Sequence, residues 1–379
     1  MLTCEIHYAQ KNKAGESVCG DTIKIKKSEG KTVVSISDGL GSGVKASILS
    51  TLTASMATTM VFNGVPISEV FQSIISTLPI CKVRGISYAT LATCLIDCVT
   101  EKCTIFEYDF PVVLIYRDGK FIDYEKSFKD IQGRKVSEMN TNVKTGDIIF
   151  LMTDGISQAG MGTSRYPFGL GVENIVKELN NLLANKIDLP SITNHLIKLA
   201  EALDYKTKGD DATVCAIKIR EKRLVTIMVG PPEKKENDER VVKRLIESEG
   251  KKVICGGTTS QIAEKVLNKK VEIDFASISQ ISPPIGYMDG VDLVTEGIIT
   301  LTQVFRFYEG QSNELGIGAQ RLVDMLNEAD VVNFLVGRAI NPAHQNPLFV
   351  HDISLKFRLI YDISKILERM GKIVNIEYY

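Results

Sequence analysis

The feature that most narrows the fold is a change of pattern at about Arg220. Before it, β-like runs follow one another at 2–9, 22–26, 31–37, 88–98, 103–109, 112–117, 120–124, 148–152 and 212–219. Helical patterns interrupt them only at 44–62, 66–78, 172–183 and 191–203. Beyond it, strands (225–229, 252–255, 291–294, 331–336, 373–377) alternate with helices (238–248, 260–267, 296–308, 318–327, 353–370). Strand-upon-strand order predicts antiparallel pairing, and strand–helix alternation predicts a largely parallel sheet. A chain of 379 residues is long enough for two cores. We therefore expect one domain over 1–221 and an α/β domain over 222–379. Asp118-Gly119 marks a two-residue hairpin, and the runs from 88 to 124 read as a four-strand meander.

Within the first part, residues 36–43 (Ile-Ser-Asp-Gly-Leu-Gly-Ser-Gly) end a strand on Asp38 and launch the helix 44–62, which reads as largely buried. Asp21 follows Gly20, Asp154 precedes Gly155 and Asp210-Asp211 follows Gly209, each at an expected strand end. Hairpin pairing of 22–26 with 31–37 brings Asp21 to Asp38. One strand-end Asp is ordinarily a turn former or a cap. Four such sites in one domain point to chemistry instead. Gathered carboxylates repel and resist ionisation unless a cation relieves them. Oxygen-only ligands without His or Cys suit magnesium or manganese. Two such ions can hold a bridging water and clamp a phosphoryl group, which predicts hydrolysis of a phosphate ester.

The formal net charge of -1 gives no case for nucleic acid or an anionic membrane surface. No apolar run is long enough to span a bilayer, and the first residues lack a signal-peptide pattern, so a cytoplasmic protein is expected. The eight cysteines form no Cys-x-x-Cys pair and read as reduced, small apolar residues.

Asp38-Gly39-Leu40-Gly41-Ser42-Gly43, then Phe150-Leu151-Met152-Thr153-Asp154-Gly155, then Gly209-Asp210-Asp211-Ala212-Thr213-Val214 resemble, in that order, the metal-dependent Ser/Thr protein phosphatases (PPM family), and among them the bacterial SpoIIE-type branch. Cys19-Gly20-Asp21 fits the first element and Ser87-Tyr88-Ala89-Thr90 the central strand. The resemblance implies an α+β fold, a β-sandwich flanked by helices, with two Mn²⁺ or Mg²⁺ ions at one edge. It implies that Asp38 bridges both ions and that the Gly39 carbonyl binds one. Asp154 and Asp210 complete the second, with Asp211 as the alternative, and Asp21 acts through water. Catalytic roles then fall to Asp38, Asp154 and Asp210. The implied substrate is a phosphoserine or phosphothreonine on a small bacterial regulatory phosphoprotein. Tyr108-Asp109-Phe110-Pro111 replaces the family's Gly-His-x-Pro-like turn, and the phosphate-binding Arg of many relatives has no counterpart. Lys11 and Lys13 read as solvated loop residues. The alternative is a phosphatase-like scaffold that acts by binding with little or no turnover.

In the second part, Gly230-Pro231-Pro232 and Gly256-Gly257-Thr258-Thr259-Ser260 follow strands, and the latter reads as a helix cap. Residues 341–347 hold His344 and Asn346 as candidate contacts at a strand's carboxyl end. This part resembles C-terminal regions attached to SpoIIE-type domains in some anaerobic bacteria, which implies a sensory or regulatory module but names no ligand; a small-molecule effector is the candidate partner.

Overall fold

A computed structural model describes residues 1–77, 89–206, 209–339 and 351–379. Ser87, Tyr88, the basic stretch at 207–208 and the candidates His344 and Asn346 lie outside the described residues. Contacts divide the chain into two units, Met1–Glu221 and Lys222–Tyr379.

The first unit runs β1 (Leu2–Lys11), β2 (Asp21–Lys27), β3 (Lys31–Asp38), α1 (Gly43–Phe62), α2 (Ile67–Thr77), β4 (Leu91–Asp97), β5 (Lys102–Tyr108) and β6 (Val112–Arg117). It continues with β7 (Lys120–Ile122), β8 (Ser127–Ile131), β9 (Arg134–Asn142), β10 (Ile148–Met152), α3 (Asp154–Ser157), α4 (Gly171–Ala184), α5 (Leu189–Leu203) and β11 (Ala212–Glu221). The strands form two antiparallel sheets, ordered β1-β11-β10-β6-β7 and β2-β3-β4-β5-β9-β8. Alternation along the strands builds three layers of core. Ile149 and Leu151 of β10 and Cys215 and Ile217 of β11 face Val34, Ile36 and Ile105 of the other sheet. Phe150, Met152, Val214 and Ala216 point the other way, against Ile175, Leu179, Ile192 and Leu196 of α4 and α5. With both faces covered, β10 is apolar at every position. The far face of the second sheet packs Val33 and Leu91 against Ala57, Val61, Val70 and Phe71 of α1 and α2.

Three expectations change. The stretch from 88 to 124 is not one meander, because β4 and β5 pair in one sheet and β6 and β7 in the other. The chain crosses at Asp109–Pro111, where Asp109 takes a φ of 48°, Phe110 enters the core between the sheets and Pro111 offers no N–H to extend a ladder. The hairpin of β8 and β9 was not expected. It turns through Gln132 and Gly133, with φ of 55° and 76°, and β8 is too exposed to carry an apolar alternation. Helix α1 is buried on one face only, since Val44 and Ile48 are 60% and 61% exposed. The Asp118-Gly119 hairpin forms as expected. Cys94 and Cys103 lie in the core with their Sγ atoms 3.6 Å apart.

The second unit runs β12 (Leu224–Val229), α6 (Asp238–Ile246), β13 (Lys251–Cys255), α7 (Gly257–Leu267), β14 (Glu272–Asp274) and β15 (Ile285–Met288). Then come β16 (Val291–Thr295), α8 (Ile298–Tyr308), α9 (Ile317–Glu328), β17 (Val331–Val336), α10 (His351–Arg369) and β18 (Ile373–Tyr378). Its sheet is ordered β14-β15-β16-β13-β12-β17-β18. The five strands from β16 to β18 in that order are parallel, and the unexpected short strands β14 and β15 add an antiparallel edge. Helices α6 and α7 pack Val242, Leu245 and Ala263 on one face, with Met228 and Ile254. Helices α8, α9 and α10 pack Val304, Leu322 and Ile363 on the other, with Ile227 and Phe334. Strand order reverses at β12, so the carboxyl ends of β12 and β17 form a topological switch point.

Candidate functional site

The site is built from four strand ends of the first unit. In the β2–β3 ladder, Asp21 sits directly opposite Asp38. Asp154 opens α3 immediately after β10, and Asp210-Asp211 lead into β11, the neighbour of β10. Two glycines let these elements close. A Cβ on Gly39 would lie 2.1 Å from the Ala46 carbonyl of α1, and one on Gly155 would lie 2.0 Å from the Asp211 carbonyl. Their first task is therefore backbone-to-backbone packing.

Asp21 is the fixed point. It is 4% exposed. Its Oδ2 accepts from Thr153 Oγ1 at 2.7 Å and Thr213 Oγ1 at 2.8 Å. Thr153 Oγ1 in turn accepts from the Thr213 N–H at 2.8 Å, and Gln10 Nε2 donates to Thr213 Oγ1 at 2.9 Å. Asp21 Oδ1 is buried with no hydrogen-bond partner. The Asp21 and Asp38 carboxyls face one another across the ladder.

The electrostatics follow from this crowding. Burial, and then repulsion from Asp21, Asp154 and Asp210, pushes the Asp38 carboxyl up to about 9. Burial raises Asp21 to about 7 against the two threonine hydrogen bonds, with Asp211 and Asp154 adding repulsion. Asp154 is raised by burial and by Asp210, while the Gly155 N–H and Lys13 oppose the shift. A set of oxygen ligands that repel one another, with one orphaned buried acceptor, fits hard divalent cations. The side chains have not closed around a point. Among the described residues, no group of three Asp, Glu, His or Cys side chains is placed to hold a metal ion.

Basic residues account for part of that splay. Lys13 Nζ lies 3.0 Å from Asp210 Oδ1, and the Lys13 N–H donates to Asp211 Oδ1 at 2.9 Å. Lys11 forms a buried ion pair with Asp204. Neither lysine is the solvated loop residue that its polar surroundings suggest. Gln158 Nε2 donates to Asp154 Oδ2 at 3.0 Å, and Ser42 Oγ donates to Glu16 Oε1 at 2.9 Å, tying the polar loop to the start of α1. Thr90 braces Asp38, its N–H donating to the Asp38 carbonyl at 2.9 Å. Thr153 and Thr213 stand inside the sequence motifs with no role assigned there, and no motif marks Gln10, Glu16 or Gln158. The recurrence of Thr beside each late Asp was the available signal. His195 lies on α5, 2.7 Å from Glu178.

Residues 28–220, just over half of the chain, match the family model described as Stage II sporulation protein E (SpoIIE). Among solved structures, the phosphatase domain of the cell fate determinant SpoIIE from Bacillus subtilis is 21% identical, covering 58% of this chain and 93% of that one at a TM-score of 0.45. A second SpoIIE structure from Bacillus subtilis, holding the PP2C phosphatase domain and a fragment of the regulatory domain, is 22% identical at a TM-score of 0.49. It is covered over 62% of its length and covers 58% of this chain. RsbX in complex with magnesium is 18% identical, covering 58% of this chain and all of that one at a TM-score of 0.41. None of the curated proteins compared with the chain matches it.

Proposed function

Since the chain belongs to the SpoIIE family of phosphatase domains, we propose that it hydrolyses phosphoserine or phosphothreonine on a regulatory phosphoprotein in the cytoplasm. The observation that carries this reading is the orphaned Asp21 Oδ1 beside Asp38, at the centre of carboxylates that repel one another. Asp38, the Gly39 carbonyl, Asp21, Asp154, Asp210 and Asp211 would hold two Mn²⁺ or Mg²⁺ ions. Bound there, the ions supply Lewis acidity toward water and toward the phosphoryl oxygens. Thr153 and Thr213 hold Asp21 so that one carboxylate oxygen stays open. Gln158 orients Asp154 through its Oδ2. Lys13 neutralises Asp210 until a cation takes its place. The second unit is read as a regulatory module. Among the described residues no helix is long and apolar enough to cross a membrane.

The test is release of phosphate from a phosphopeptide by purified protein with and without Mn²⁺. Turnover is expected only with the cation, and Asp154→Ala should remove it. Robust turnover in chelator would overturn the mechanism.

A second reading, a phosphatase-like scaffold that acts by binding, is favoured by one observation: Lys13 already occupies Asp210, and the carboxylates have not converged. Calorimetric titration separates the two readings. Absence of Mn²⁺ or Mg²⁺ binding that depends on Asp38 would favour the scaffold.

A further inference from the structure

We propose that the crevice over the carboxyl ends of β12, β17 and β18 binds a small phosphate-bearing anion, either a nucleoside di- or triphosphate or inorganic pyrophosphate. The inference concerns Lys222–Tyr379 alone and goes beyond the phosphatase reading.

Topology supplies the place. In an open parallel sheet the loops diverge where strand order reverses, which leaves a crevice at the carboxyl ends. Here the loop after β12 turns to α6 on one face, and the loop after β17 leads to α10 on the other. Their backbones touch at the base, since a Cβ on Gly337 would lie 2.1 Å from the Pro231 carbonyl oxygen. Beside this contact is a cavity of about 370 Å³ whose charged lining is Glu233, Lys234, Arg240, Arg338 and Glu377. That volume suits a small ligand.

Charge supplies the ligand class. Glu377 is already engaged, by Arg244 Nη2 at 2.8 Å and by the Tyr379 hydroxyl at 2.7 Å. Glu233 is the remaining side-chain carboxylate in the lining, and the Tyr379 main-chain oxygen accepts from the Glu233 and Arg338 N–H groups at 3.2 and 2.8 Å. Among the described residues, Lys234, Arg240 and Arg338 form no ion pair. The two guanidinium groups are not loose. Arg240 lies over the Tyr379 ring at 5.9 Å and Arg338 over the Tyr378 ring at 5.5 Å. Stacking on a ring face leaves the N–H edges of a planar fork available, and such forks match phosphate oxygens bidentately. On the other side of the same loops, Lys356 of α10 donates to the Gly337 carbonyl and has no carboxylate partner among the described residues. Burial holds that ammonium down to about 8. Lys234, Arg240 and Arg338, joined by Arg244 on Glu377, outnumber the two carboxylate side chains of the lining, and this excess of positive charge at a switch point suits an anion. Residues 340–350 are not part of the assigned site.

The test uses the full chain in chelator, so that the carboxylate site of the first unit holds no cation. ATP, GTP, pyrophosphate and inorganic phosphate are titrated by calorimetry. Binding of at least one is expected, with the Arg240→Gln/Arg338→Gln double variant weaker by about tenfold or more. Equal affinity for pyrophosphate and nucleotides would show that the phosphates suffice. Tighter nucleotide binding would add a contact to the base or sugar. Should the double variant lose cooperative unfolding, Arg338→Lys keeps the charge without the fork and must bind more weakly while unfolding normally. Absence of binding by all four anions at millimolar concentration overturns the proposal. So does unchanged affinity in the variants, or binding that Asp154→Asn removes.

Discussion

The two units gather opposite charges at their strand ends, and they do it by different means. In the first, Asp21, Asp38, Asp154, Asp210 and Asp211 share one edge because antiparallel register places the strand ends there. Asp21 faces Asp38 only because β2 and β3 pair without a slip, and a one-residue shift would carry one carboxylate to the other face. In the second, Arg338 and Tyr379 arrive at one edge because parallel strands point the same way, whatever their detailed register. A parallel sheet gives a ligand edge through chain direction. An antiparallel sandwich must specify its site residue by residue, so its site is written as local motifs.

The largest effect should follow from breaking the carboxylate side of this comparison. Asp38→Ala should reduce Mn²⁺-dependent phosphate release to background and, in metal-free protein, raise the unfolding temperature. The carboxyl proposed to serve the ion is, without it, a buried polar group crowded by other carboxyls that keep it from ionising. Activity lost together with a lowered metal-free unfolding temperature would mean that Asp38 is structural, and the contrast between the units would fail.

A smaller effect should come from the hydroxyls that hold Asp21. Thr153→Val and Thr213→Val each remove a donor to Asp21 Oδ2 and leave the shape nearly unchanged. Removal of such supporting hydrogen bonds costs about 10–100-fold in metal affinity or activity. Calorimetry with Mn²⁺ measures the first and phosphate release the second. Unchanged affinity in both variants would remove Asp21 from the proposed ion site.

How much of this was legible beforehand follows from the same contrast. The Asp21–Asp38 pairing could be read, because a hairpin is local and its alternation is clear. So could the parallel sheet of the second unit. The pairs Lys13–Asp210 and Lys11–Asp204 could not, since they join positions 197 and 193 residues apart and nothing local encodes them. The crossing between β5 and β6 was hidden because both runs alternate equally well, and the turn rests on Asp109–Pro111, with Phe110 committed to the core between the sheets. The strands β8 and β14 are exposed and end their sheets, where burial imposes no apolar pattern, and β15 spans only Ile285–Met288, too short a run to show an alternation. Helix α7 differed for a related reason. The Thr-rich turn promised a cap, yet Gly256 occupies the N-cap, no side chain caps the turn and Ser260 Oγ bonds the Gly257 carbonyl instead.

The smallest effect, and the one that bears on both units at once, is the response of metal-free protein to pH. Asp38 is raised from 3.8 to about 9, so the folded state holds its proton more tightly than the unfolded chain. That contribution to stability is complete below pH 3.8 and is lost as pH rises toward 9. Lys356 is lowered from 10.5 to about 8, so the folded state releases its proton more readily. Its cost is complete below pH 8 and is relieved as pH rises to 10.5. The first unit should therefore weaken across neutral pH, and the second should strengthen above pH 8. The second change is the smaller in total, because its pH window, 8 to 10.5, is narrower than that of Asp38, 3.8 to 9. Peptide-resolved hydrogen exchange reads the two units separately. Mn²⁺ should flatten the first slope by making ionised Asp38 the favoured form, and Asp38→Asn should abolish it. Pyrophosphate should flatten the second by stabilising the ammonium, and Lys356→Met should abolish it. A first slope that survives Asp38→Asn, or a second that survives Lys356→Met, would show that the opposed charges at the strand ends do not govern the stability of their own units.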